Sequence, residues 1–209
     1  ILGMGPGIGL ATARRFGREG FALALVARTE AEAQGFRATL EGEGCRVRCA
    51  WGADLGDEKA VETLKPELAD LSPQALLYNA SGGVDGLPST LSRAALDASL
   101  QLNLHAPLIC VQALLPRLRR STLLFTGGGL ALEPKATQSA LSLGKSSLRT
   151  LALCLAEELE PLGHHVATVT VAGWVRPDTA FSPEAVAEVC WELHQESPAQ
   201  WRREVVMKP

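Results

Sequence analysis

Apolar residues along this chain recur with two different periods. Short runs of aliphatic and β-branched residues without polar alternation lie at Ile1–Gly3, Phe21–Ala27, Cys45–Trp51, Ala75–Asn79, Thr122–Thr126, His165–Val171 and Glu204–Met207. Such runs predict strands covered on both faces. Between them, apolar positions at helical spacing predict helices over Ile8–Glu19, Glu30–Glu41, Glu58–Leu68, Arg93–Leu118, Gln138–Glu160 and Pro183–His194. Ser182 followed by Pro183 is a good start for the last of these. Regular strand–helix alternation with short connections predicts an α/β fold: a Rossmann-type, doubly wound parallel sheet of about seven strands in three α/β/α layers. No repeat or Pro/Gly/Ser-rich linker interrupts the pattern, so residues 1–209 read as a single domain. The first strand is short, and the reading expects a few apolar residues before Ile1.

The fifth helical pattern contains an anomaly. Leu141, Leu148, Ala152, Leu155 and Leu159 mark its buried stripe, and Lys145 falls on the same side. A lysine there either snorkels its ammonium to water or holds something.

The best-marked local motif is "ILGMGPGIGLATARRFGREG", with Gly3, Gly5, Gly7 and Gly9 between the first strand and the first helix. Glycines allow a tight turn and let backbone N–H groups approach a phosphate, while the helix directs its positive end to the same place. A preceding strand and a continuing βαβ pattern are the context that a dinucleotide-binding turn requires. At the end of the second strand stand Arg28 and Thr29 rather than an acid. An acid there would bind a ribose 2′-hydroxyl; an arginine suits a 2′-phosphate, which favours NADP over NAD.

Composition narrows the remaining classes. A chain of 209 residues with 46 % hydrophobic and 21 % charged residues fits one globular domain. The net charge of −3 gives no reason to expect nucleic acid or an anionic membrane as partner. No apolar run reads as long enough to span a bilayer, and no signal segment opens the chain. Cys45, Cys49, Cys110, Cys154 and Cys190 are scattered and odd in number, so reduced thiols in a cytoplasmic protein are expected and no metal site.

These pieces together make the chain resemble the short-chain dehydrogenase/reductase family over nearly its whole length. The spacing Gly3-x-x-x-Gly7-Ile8-Gly9 resembles that family's glycine motif. "ADLGD" is similar to its next landmark, which implies Asp54 and Leu55 beside the adenine ring. "LLYNASGG" resembles its Asn-Ala-Gly motif through Asn79 and Ala80, with Ser81 in place of glycine. "LQLNLHAPLIC" implies that Asn103 is the family's helical asparagine, with Pro107 at the familiar offset. "TVTVAGWVRPDT" resembles the Pro-Gly turn beside the nicotinamide; Ala172 replaces the proline, while Gly173 and Val175 remain. Trp174, next in that turn, is read either as a wall of the substrate pocket or as simple packing.

The resemblance implies NADP as cofactor, hydride transfer to or from a small carbonyl or alcohol substrate, and a homodimer or homotetramer paired through the two longest helices. It also implies a Lys that binds the nicotinamide ribose, a Tyr four residues earlier and a Ser about thirteen before the Tyr. Lys145 matches the lysine, but Leu141 stands at the Tyr position and Gly128 at the Ser position. The single tyrosine, Tyr78, lies in the fourth strand. Three readings stay open: an oxidoreductase with a rearranged site in which Lys145 acts, with Asn103 and with Ser142 or a water as relay; a catalytically inactive NADP-binding sensor or partner subunit; or another enzyme class on the same fold. Ser139 and Thr126 are further hydroxyl candidates. Elsewhere His105 reads as structural or surface, His164 and His165 as a solvent-facing turn, and His194 as a cation at a helix end.

Overall fold

The computed structural model describes residues 1–208; Pro209, the last residue of the expected domain, lies outside them. The elements in chain order are α1 (Ile8–Arg18), β1 (Leu23–Ala27), α2 (Glu30–Gly42), β2 (Val47–Gly52), α3 (Glu58–Ala69), β3 (Ala75–Tyr78), α4 (Arg93–Leu100), α5 (Ala106–Leu114), β4 (Thr122–Gly128), α6 (Ser139–Leu159), β5 (His165–Val171), α7 (Pro183–Gln195) and β6 (Glu204–Met207). β1 pairs with β2, and β3, β4, β5 and β6 follow one another, every pairing parallel.

One residue joins the two groups. Leu2 bridges Val26 on β1 and Tyr78 on β3, with its N–H donating to the Leu77 carbonyl at 2.8 Å and its carbonyl accepting from Asn79 N–H at 2.8 Å. Among the described residues six strands form where about seven are expected, and the expected first strand shows only as the bridges of Leu2. At Gly3 a φ of +84° takes the chain out of extended conformation.

The strands divide their side chains between two cores. Leu76, Tyr78, Leu123, Phe125 and Val166 meet α3, α5 and α6 on one face. Leu25, Ala27, Leu77, Leu124, Ala167 and Val169 meet α1, α2 and α7 on the other. Each fully buried large side chain contributes about 1.5–3 kcal/mol, so these unalternated runs hold the three layers together. The crossovers between parallel strands set helices on both faces and leave the carboxyl ends of the strands to the loops that carry the candidate site.

The helix expected over Arg93–Leu118 is not uniform. Gln101–His105 form a π-helical turn between α4 and α5, and Ala106 N–H reaches back to the Gln101 carbonyl. Pro107 explains it: a proline has no N–H for the carbonyl four residues earlier, Asn103, and its ring crowds that position. The helical stretch Arg93–Arg117 spans 25 residues with a mean hydropathy of 1.3 in its apolar window, enough by length and composition to cross a membrane. This corrects the sequence expectation of no such run. Within the fold, Ala106, Cys110, Val111 and Leu114 of that stretch sit in the core beside α3.

Candidate cofactor and proton-handling site

The glycine turn is built around one close approach. A side chain at Gly3 would place its Cβ 2.3 Å from Ala80 N, so the turn and the segment after β3 touch backbone to backbone. Asn79 Nδ2 donates to the Gly3 carbonyl at 3.0 Å and fixes this contact. A Cβ at Gly9 would lie 3.3 Å from Met4 Cα, whereas Gly5 and Gly7 face open space. Ile8 opens α1, which has no side-chain cap. A bare, uncapped helix start beside two glycines with free space is a cradle that side chains would fill, and its donors suit a pyrophosphate.

Arg28 and Thr29 are exposed at the carboxyl end of β1. Thr29 is the N-cap of α2 and forms a capping box with Glu32. Asp54 Oδ1 accepts from Gly56 N–H at 2.9 Å. Leu55, expected beside an adenine ring, is 3 % exposed and belongs to the core with Ala53 and Val61. Ser81 is exposed and Ala80 half-buried under Gly3.

Around Lys145 the structure is closed. The side chain is 7 % exposed, and Nζ donates to the Thr126 carbonyl at 2.9 Å. Burial lowers its pKa from 10.5 to about 8. The lysine therefore does not snorkel; it is held inward at the end of β4. A Cβ at Gly128 would come no nearer than 3.8 Å to the lysine stem, so the place of the missing serine is vacant of side chain. Asn103 is fully buried. Its Nδ2 donates to the Gly82 carbonyl at 3.0 Å and the Ser99 carbonyl at 2.9 Å, while Asn103 Oδ1 and Thr126 Oγ1 are buried without a partner among the described residues. Orphaned oxygens next to an inward ammonium mark a site made for polar ligand atoms rather than for packing.

The other expected participants make contacts of their own. The Ser142 hydroxyl accepts from Lys135 N–H at 3.2 Å and so ties down the loop before α6. Ser139 donates to the Gly86 carbonyl at 2.7 Å. Leu141 lies against the loop after β3: a Cβ at Gly83 would meet Leu141 Cβ at 3.0 Å. Tyr78 is buried, and its hydroxyl donates to the Leu102 carbonyl at 2.6 Å; burial raises its pKa well above the ordinary value, which removes it as a proton donor. Gly173 carries the Phe181 ring, 2.3 Å from where a Cβ would stand. Val175 is exposed, and Trp174 is 76 % exposed, so it packs against nothing in this chain.

The histidine expectations need correction. His105 is exposed as expected. His164 and His165 are buried, not in a solvent-facing turn. β5 begins at His165, and its ring nitrogens lie 2.9 Å from the Leu193 and Arg202 carbonyls. His194 packs among Phe16, Phe21 and Trp191, and burial lowers its pKa, which opposes a dipole-stabilised cation.

Residues that sequence reasoning passed over also shape the site. Gly144 lets α6 meet α4 closely, since a Cβ there would lie 2.7 Å from Ser99 Oγ and 2.9 Å from Asn103 Nδ2. A mid-helix glycine beside the key lysine was the available signal. Glu32 carried one as well, the Thr29-x-x-Glu32 spacing of a capping box; Phe181 carried none. A cleft of about 430 Å³ lies at the amino ends of β1 and β3 near Leu23 and Ala75, the opposite end of the sheet from the one where such folds bind ligands.

The comparisons with known proteins agree with this geometry. A family model for short chain dehydrogenases matches residues 1–188. Among curated relatives, the short-chain reductase protein NovJ of Streptomyces niveus is 29 % identical over 167 residues, 78 % of this chain and 63 % of the relative. The human mitochondrial dehydrogenase/reductase SDR family member 2 is 28 % identical over 183 residues, 85 % of this chain and 65 % of the relative. The chain thus spans just under two thirds of the length of both. Among solved structures, a metagenomic short-chain oxidoreductase in complex with NADP has a TM-score of 0.87 at 24 % identity, covering 100 % of this chain and 95 % of that one. An NADPH-bound short chain oxidoreductase from Pseudomonas aeruginosa, described as containing an atypical catalytic center, has a TM-score of 0.86 at 20 % identity, with 99 % and 93 % covered. With its Rossmann-like fold and a family match over most of its length, the chain belongs to the short chain dehydrogenase family.

Proposed function

We propose that this protein is an NADP(H)-dependent oxidoreductase acting on a small carbonyl or alcohol, with a proton-handling site that rests on Lys145 in place of the family's tyrosine. The observation that carries the reading is the buried Lys145 ammonium at the end of β4, 2.9 Å from the Thr126 carbonyl, with its pKa lowered to about 8. NADP-bound relatives of the same fold support the cofactor.

Each part of the site has a distinct task. The Gly5–Gly7 turn and the start of α1 would hold the pyrophosphate, and Arg28 with Thr29 the 2′-phosphate. Asp54, Asn79, Ser81, Gly173 and Val175 would border the nucleoside and nicotinamide regions. When bound, the cofactor supplies or accepts the hydride. Reduction of a carbonyl also requires a proton at oxygen. A lysine tuned to about 8 is mostly protonated at neutral pH yet close enough to it to donate efficiently. It returns to the ammonium by taking a proton from water. Asn103 ties the π-helical turn to the loop after β3 through the Gly82 carbonyl, and the Ser99 hydroxyl ties α4 to the Ala140 carbonyl of α6. Exposed α6 residues such as Leu143 offer a surface for pairing two copies.

The test joins binding to turnover. NADPH and NADH are titrated calorimetrically, and NADPH oxidation is followed against a panel of ketones and aldehydes. The expected result is tighter NADPH binding, with turnover that falls as pH rises past about 8 and that is lost in Lys145→Met. Normal turnover by Lys145→Met overturns the assignment of Lys145. A second reading, a cofactor-binding sensor without dehydrogenase chemistry, is favoured by the engagement of the Ser142 hydroxyl with Lys135 N–H; tight NADPH binding with no turnover would decide for it.

A further inference from the structure

The carboxylates that follow β1 and β2 are not equivalent. Glu30 is committed elsewhere: its Oε2 accepts from Gly52 N–H at 2.8 Å and its Oε1 from Gln34 Nε2 at 2.8 Å. Asp54 is committed to Gly56 N–H. Glu32 is different. A single oxygen, Oε2, accepts from both the Thr29 N–H and the Thr29 hydroxyl, each at 3.0 Å. The Glu32 N–H in turn donates to Thr29 Oγ1 at 3.2 Å. Arg28, next to Thr29 in the chain, is exposed and has no ion pair or side-chain hydrogen bond among the described residues. A carboxylate thus occupies the amide and hydroxyl donors of the residue that follows an uncommitted arginine.

Two donors and a guanidinium are what a phosphate monoester takes up, and a carboxylate on those donors is its chemical substitute. Resting on the NADP reading above, we propose that Glu32 competes with the 2′-phosphate for the Thr29 donors and thereby sets how strongly the protein discriminates NADP(H) from NAD(H). Binding of the phosphorylated cofactor displaces Glu32 Oε2 from Thr29, and the displaced carboxylate then stands as a like charge beside the phosphate. A nucleotide with a free 2′-hydroxyl carries no charge at that position and leaves the capping contact in place. Glu32 is therefore a specificity-determining residue that weakens, rather than strengthens, the preference encoded by Arg28.

Glu32→Gln separates charge from structure. A glutamine carbonyl still accepts from Thr29, and Gln serves in a capping box as Glu does, so the helix start is preserved. Removing one exposed like charge next to a phosphate is expected to tighten binding by about three- to tenfold, with the difference shrinking at high salt. The experiment titrates wild type and Glu32→Gln with NADPH, NADH, 2′,5′-ADP and 5′-ADP at low and high ionic strength, with thermal unfolding as the control on folding. The expected result is tighter binding of NADPH and 2′,5′-ADP by the variant and unchanged binding of NADH and 5′-ADP. Unchanged binding of all four, or an equal change for the phosphorylated and unphosphorylated members, overturns the inference while wild-type preference for NADPH upholds the cofactor reading. Failure of wild type to bind NADPH and 2′,5′-ADP overturns both.

Discussion

Lys145 places a base in the core, and the cost of holding it there is measurable. Its Nζ has one recorded partner, the Thr126 carbonyl at 2.9 Å, and burial lowers its pKa from 10.5 to about 8. A folded pKa below the unfolded one means that, between the two values, the unfolded chain keeps a proton the folded chain has released. Stability then rises with pH across that interval, and below it the ammonium is charged in both states and its full penalty is felt. The shift corresponds to about 3 kcal/mol in all, most of it expressed between about pH 7 and pH 10. Lys145→Met keeps most of the stem and removes the charge. It also takes a donor from Thr126, at a cost of about 1–3 kcal/mol, so near neutral pH the two effects partly cancel. The difference between the proteins is the clean quantity, because every other titrating group is common to both. Urea unfolding of wild type and Lys145→Met at one-unit intervals from about pH 7 to pH 10 should show wild type gaining about 2–3 kcal/mol relative to the variant. A flat difference across that range would refute the placement of the ammonium in a desolvated site and, with it, its use as a tuned acid.

Other positions make equally direct predictions. Gly3→Ala forces a side chain onto φ +84° and within 2.3 Å of Ala80 N, so a loss of about 3 kcal/mol or more in urea unfolding is expected, together with loss of nucleotide binding. His165→Leu leaves the Leu193 and Arg202 carbonyls facing an apolar side chain; a loss of about 2–4 kcal/mol and faster amide exchange in β6 should follow. The double variant Gly128→Ser with Leu141→Tyr restores both family hydroxyls. Gly128 has room for a side chain beside the Lys145 stem, and carbonyl reduction should rise about a hundredfold, the low end of what a general acid contributes; an unchanged rate would show that the loop against Leu141 excludes substrate.

How much of this was legible beforehand depended on the range of the interaction. The helices and most strands follow from local periodicity and end within a residue or two of their expected limits, because each buries one apolar face. The glycine turn was legible because glycine is read from backbone demands alone. The π turn at Gln101–His105 was not, although Pro107 was noted; a proline inside an apolar helical pattern says that the ladder breaks but not how it is repaired. The burial of His165 was invisible because its partners, Leu193 and Arg202, come from distant elements. The fate of the Ser142 hydroxyl was hidden for a related reason: helical spacing put it one turn before Lys145, but its partner is the backbone of a loop whose path the sequence does not specify.

The two halves of the site differ in what holds them. The cofactor half is made of backbone: the Gly3–Ala80 approach, the open space at Gly5 and Gly7, and the Asn79 bond to Gly3 persist with little regard to neighbouring side chains. The proton-handling half depends on side chains, and there both hydroxyls are replaced by Leu141 and Gly128 while the ammonium stays. Packing alone does not account for that combination. At neutral pH a buried ammonium with a single carbonyl partner destabilises the fold, and a neutral side chain of the same length fits the same space. Nor does a merely tolerated lysine account for the buried, unpartnered Asn103 Oδ1 and Thr126 Oγ1, which add to the polar atoms awaiting partners. On the proposed reading, hydroxyls of the cofactor's ribose and a substrate carbonyl supply those partners, which ties the cost of Lys145 to binding rather than to folding.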